Sequence, residues 1–136
     1  MRRKSEAGFF LWEALLAGLL LLIMAGSAAL YVKAAELKNI AAQQATALYL
    51  GRAQISYAQG RLNKEGVLPS ELPYQGKEAD LGQNGCSYQL RSYCQQEAGG
   101  WQLQVEISWE VRGHEEKLVF VRWLAPHSQS KGDNPL

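Results

Sequence analysis

A long apolar run, from Phe9 to Tyr31, contains one ionisable side chain, Glu13, and this combination constrains the chain more than any other feature. A bilayer core takes about 20 apolar residues as helix, and the run is long enough to supply them. A carboxylate in hydrocarbon costs roughly a few kcal/mol, so it needs a partner or a function. If the run lies in a membrane, about a hundred of the 136 residues remain for one small domain with a limited core. The basic residues Arg2, Arg3 and Lys4 precede the run, and the next positive charge is Lys33. That asymmetry places the N-terminus in the cytoplasm and the remainder outside it. The formal net charge of +1 sets up no strong field for nucleic acid or an acidic substrate.

Three readings of this segment compete. A cleaved secretory signal fits the basic start and the small residues of "AGSAAL", which would place a cut near Ala29. Its apolar core is too long for that, and Glu13 falls inside it. A plain single-pass anchor fits the length but leaves Glu13 unexplained. The third reading starts from the stretch "AGFFLWEALLAGLLLL", in which a short basic leader ends at Gly8, phenylalanine follows at Phe9, and Glu13 stands four residues later inside an apolar helix. This resembles the type III signal of type IV pilins and type II secretion pseudopilins. The resemblance covers about the first 30 residues. Phe10 and Trp12 depart mildly from the small or aliphatic residues common there.

The resemblance implies leader cleavage between Gly8 and Phe9 by a prepilin peptidase, followed by N-methylation of Phe9. It also implies a subunit-assembly role for Glu13, opposite the free amine of a neighbour's Phe9. The cost of the carboxylate falls when a cationic amine lies opposite it. Before assembly, Glu13 would snorkel to the cytoplasmic interface. The implied partners are other pilin or pseudopilin subunits, the peptidase/methyltransferase, an inner-membrane assembly platform and membrane lipid. The implied location is the bacterial inner membrane, single-pass, with a route into a periplasmic or surface filament.

No proline interrupts the chain from Phe9 to Arg61, and "KAAELKNIAAQQATALYLGRAQISYAQ" is rich in helix formers. Its period predicts a face made of Leu37, Ala41, Gln44, Leu48, Gly51, Ile55, Ala58 and Leu62. Gly60 marks the expected stop. The glycines and prolines from Gly60 to Gly85 read as a loop region, with a short helical turn near Pro69 to Leu72. Then the period becomes two. Trp101, Leu103, Val105, Ile107, Trp109 and Val111 alternate with polar residues in a half-buried strand. Gly113 marks a hairpin turn. "KLVFVRWLA" follows as a strand with Val119, Val121 and Trp123 on one side, the side expected to look inward, while Leu118 and Phe120 make its other face partly apolar; Tyr88, Leu90 and Ser92 indicate a third strand upstream. Gly99 and Gly100 form the turn between that strand and Trp101.

The predicted fold is α+β and pilin-like: a long N-terminal helix packed on a small three-stranded antiparallel sheet. The first half of the helix spans the membrane and the second half is amphipathic. The expected divisions are a leader over 1–8, a transmembrane helix over 9–32, its amphipathic continuation over 33–60, loop and sheet over 61–125, and a flexible tail over 126–136.

Cys86 and Cys94 are the remaining candidates. In one extended strand they stand about 26 Å apart and cannot bond; if the segment between them turns, a disulfide closes a small loop. His114 beside Glu115 and Glu116 reads as a solvated turn rather than a metal site. No catalytic motif, cofactor site or metal-ligand spacing is present, and no basic stripe with interleaved aromatics indicates direct nucleic-acid binding. The expected function is that of a minor pilin or pseudopilin, a structural and assembly subunit of a type IV pilus, a type II secretion system or a DNA-uptake machine. The competing expectation is a small exported or membrane-anchored binding domain that does not polymerise.

Overall fold

The computed structural model describes residues 3–76, 81–83 and 85–127. Arg2 and the tail from residue 128 lie outside the described residues, as do the side chains of Arg3 and Lys4. The chain divides into two compact units, residues 1–40 and 41–136. One helix, α1 (Arg3–Glu65), contributes to both.

In the first unit the helix is the whole structure, and every described side chain from Gly8 to Ala35 is exposed. Ser27 Oγ donates to Ile23 O at 2.8 Å, so this hydroxyl is satisfied by its own helix without water. Lys33 and Glu36 form an exposed ion pair at 3.3 Å.

In the second unit, α1 lies against an antiparallel sheet of four strands. These are β1 (Leu81–Gln83), β2 (Cys86–Glu97), β3 (Gly100–Val111) and β4 (His114–Leu124), in that spatial order. The predicted three strands are present, and β1 is an addition that falls inside the expected loop. Two glycines supply the backbone conformations that chain these elements together. Gly66 (φ 73°) ends α1, with its N–H donating to Leu62 O at 2.8 Å, a left-handed C-terminal cap. Arg112 (φ 51°) and Gly113 (φ 76°) form the two-residue β3–β4 turn, whose doubly positive φ matches the twist of the flanking strands. Gly60 does not stop the helix. It is exposed with open space around it, and α1 runs past it by more than a turn.

Leu103, Val105, Ile107, Trp101 and Trp109 of β3 face the helix, as their alternation requires. Tyr88, Ser92 and Cys94 of β2 share that face. The helix answers with Ala47, Leu50, Gly51, Gln54, Ala58 and Leu62. The predicted face therefore holds at Gly51, Ala58 and Leu62, with Ile55 at its margin. Earlier in the second unit it is rotated away from the sheet, where Ala41, Gln44 and Leu48 are exposed, and Leu37 in the first unit is exposed as well. In β4 the predicted inward face is reversed. Val119, Val121 and Trp123 are exposed, while Leu118, Phe120 and Leu124 turn to the core. The register explains the reversal: Val105 pairs with Phe120 and Ile107 with Leu118, and paired residues share a face.

The predicted turn near Pro69 to Leu72 is not helical. Leu72 N–H donates to Ser92 O at 3.0 Å and Cys94 N–H to Ser70 O at 2.8 Å, so this segment runs along the edge of β2. A short 3-10 turn follows at Tyr74–Gly76.

Candidate functional site

Glu13 lies on the α1 face shared by Phe10, Ala14 and Ala17, which frame a shallow depression of about 260 Å³. The helical spacing brings these residues together, since positions three and four apart stand one above another. The alanines leave room beside the carboxylate. The surroundings are apolar and uncovered: Phe9 is 72 % exposed, Phe10 75 % and Leu11 73 %. Glu13 has no hydrogen bond or ion pair among the described residues. Phe9 lies one helical turn before it, a rise of about 6 Å. The helix that carries both is long and apolar enough to cross a membrane. Gly8 precedes Phe9 within the same helix, with open space around it.

Cys86 and Cys94 open and continue one uninterrupted strand, β2, and both are free thiols. Of the two arrangements left open for them, this is the extended one, in which about eight residues of strand hold the sulfurs far beyond bonding range. Cys94 is buried, and burial pushes its thiol above the ordinary range, with a smaller opposing pull from Arg61. His114 begins β4 and is exposed, with Glu115 and Glu116 after it. Among the described residues no three His, Cys, Asp or Glu side chains are placed to hold a metal ion. An open concavity of the second unit, about 790 Å³, is lined in part by Ser87, Gln89, Ser108, Glu110 and Glu115.

One residue that organises the second unit was not singled out from sequence. Gln54, fully buried on α1, donates from Nε2 to Leu72 O (3.2 Å), Pro73 O (3.1 Å) and Ser92 Oγ (3.0 Å), and its Oε1 accepts from Gln75 N–H at 2.9 Å. It ties helix, loop and β2 together. The available signal was a lone amide between Leu50 and Ala58 on the buried face. A buried amide requires partners, and nearby loop backbone can supply them.

Comparison of the chain with protein-family models, curated proteins and solved structures finds no match.

Proposed function

We propose that this chain is a pilin-like subunit, a minor pilin or pseudopilin that works by assembling with like subunits in an envelope-spanning machine. The observation that carries the reading is Glu13: a carboxylate set in an uncovered apolar helix, next to small residues, one turn after Phe9. A carboxylate left in hydrocarbon is costly, and a neighbour's amine beside it offsets that cost. On this reading the leader is removed between Gly8 and Phe9, and Phe9 then carries the free, methylated amine. The apolar part of α1 anchors the subunit in the inner membrane, and the later part holds the sheet outside. Support also comes from Ser27, whose hydroxyl is already satisfied within the helix, as an apolar setting demands.

The test is the intact mass of the mature protein isolated from membranes. A chain beginning at N-methylated Phe9 supports the reading. A chain beginning near Leu30 overturns it in favour of an exported domain, and an unprocessed chain overturns it in favour of a plain anchor.

A further inference from the structure

The outer face of the sheet, turned away from α1, has two chemically different halves. The register sets Gln89, Ser108 and Lys117 in one row across β2, β3 and β4, and Arg91, Glu106 and Val119 in the next. Lys117 and Glu106 bridge those rows at 2.7 Å. The following two rows carry no charge: Tyr93, Gln104 and Val121, then Gln95, Gln102 and Trp123. Tyr93 is 41 % exposed and Trp123 47 %. Among the described residues, no hydrogen bond engages the Gln95, Gln102 or Gln104 amides, the Tyr93 hydroxyl or the Trp123 indole N–H. Gly100 shapes this half. It lies on the outward phase of β3 and is nevertheless buried. The Trp123 ring covers it: a Cβ there would stand 2.8 Å from both Cε2 and Cζ2. Across β3, Tyr93 supplies a second ring. Two strand spacings and a two-residue rise put its Cα about 12 Å from that of Trp123. Tyr93 also walls a depression of about 520 Å³ shared with Pro73 and Arg91.

We infer that this half of the face binds a neutral oligosaccharide, a short run of β-linked pyranose rings laid across the strands from Trp123 to Tyr93. A β-linked pyranose has flat sides made of C–H groups. These carry slight positive charge and pack on the negative face of an aromatic ring. Its hydroxyls stand at the rim, where they both donate and accept. The Gln102 and Gln104 amides between the two rings do the same. Aromatic surface with a few convergent polar groups is the usual composition of a small-ligand site. Charge selects against other occupants. A charged ligand would lie over two rows that hold no counter-charge, whereas an uncharged ligand matches them. A polypeptide partner would have to bury the amides and pair each of them, since an unpaired buried amide is costly. A glycan brings hydroxyls to pair with them. The inference rests on the second unit and does not depend on the reading of Glu13.

The experiment titrates the full chain with chitotetraose and with cellotetraose by isothermal calorimetry, in dodecylphosphocholine micelles, whose headgroup is not a sugar. Saturable binding of at least one tetramer is expected, with a Kd of about 1 mM or tighter. Trp123→Ala and Tyr93→Ala each weaken it about tenfold by removing a stacking surface. Trp123→Phe keeps a ring and retains most of the affinity. Lys117→Ala, in the charged rows, leaves it unchanged. Circular dichroism confirms that each variant keeps the wild-type helix and sheet content. The inference is overturned if neither tetramer binds the wild type, or if the folded alanine variants bind as tightly as wild type. It is also overturned if Lys117→Ala weakens binding as much as Trp123→Ala. Failure of both tetramers together with loss of self-association in Trp123→Ala would give the face to a second copy of the chain instead.

Discussion

The ring of Phe120 on β4 occupies the space above Gly51 on α1. A Cβ built on Gly51 would stand 2.7 Å from Phe120 Cδ2 and 2.9 Å from Cζ. Glycine here is a packing requirement, since α1 is helical throughout this turn. Two effects oppose each other on substitution. Alanine gains about 1 kcal/mol of helix propensity, while the ring must move to admit the methyl. Gly51→Ala is expected to shift stability by less than about 1 kcal/mol, and Gly51→Leu to lower it by about 1 to 3 kcal/mol through overpacking. Phe120→Ala should recover part of the Gly51→Leu loss, because it empties the contested space. Thermal melts of the four variants, read as a double-mutant cycle, check this coupling.

Gln54 is the polar counterpart of that contact. Its two Nε2 protons serve three acceptors, and Gln75 N–H depends on its Oε1. Gln54→Leu keeps the volume and removes every bond, leaving the Ser92 hydroxyl, Leu72 O and Gln75 N–H without this partner, while Pro73 O keeps its bond from Gly76 N–H. A loss of about 2 to 3 kcal/mol is expected. Hydrogen exchange should show faster opening at Leu72 and Gln75 than elsewhere in the sheet. Uniform protection across the loop would remove Gln54 from this role.

Leu48 and Leu50 separate two phases of the same helix. Leu50 is 2 % exposed and Leu48 37 %. Leu50→Asp buries an unpaired charge and should cost about 3 kcal/mol or more, whereas Leu48→Asp should cost less than about 1 kcal/mol. Denaturant midpoints of the two variants decide between the observed face and the one predicted from periodicity.

Those leucines also show why periodicity alone misplaced the face. Alanines and leucines surround the helix on both flanks between Ile40 and Leu50, so the contrast that defines an amphipathic side is weak there. The alternation of β3 from Trp101 to Val111 was legible because every second residue is large and apolar and its neighbours are polar. β4 has apolar residues on both faces, and its own pattern cannot choose between them. Its phase comes from the Arg112–Gly113 turn, which pins Val111 to His114 and hence Val105 to Phe120. β1 carries no such pattern in three residues, although the Asn84–Gly85 dipeptide is a hairpin signal in sequence. Glu13 was legible because one charge in a long apolar run has no cheap explanation. Gln54 was not, because its partners are backbone groups of a loop whose path no local pattern specifies.

Alkaline pH should loosen the second unit. Burial raises the Cys94 thiol and the Tyr88 phenol above their ordinary values. The folded state thus holds protons that the unfolded chain releases, so the stabilisation is fully present below the unfolded values. It is lost as pH rises through them toward the raised folded ones. The denaturant midpoint should fall from about pH 8.5 upward, and Cys94→Ala should flatten the thiol part of that fall. Alkylation of the native protein should modify Cys86 well before Cys94, with both thiols found free.

The most direct measurement of the central claim follows Glu13 after processing. Glu13→Leu should insert in the membrane at least as well as wild type, since it removes a cost of roughly a few kcal/mol, and the cut at Gly8–Phe9 should persist. A photo-crosslinker at Ala17, beside Glu13 on the same face, then reports neighbours. Wild type should yield adducts with other subunits, Glu13→Asp fewer, and Glu13→Leu almost none. Wild-type adduct levels with Glu13→Leu, on chains of confirmed mature mass, would contradict the pairing of Glu13 with a neighbour's Phe9 amine.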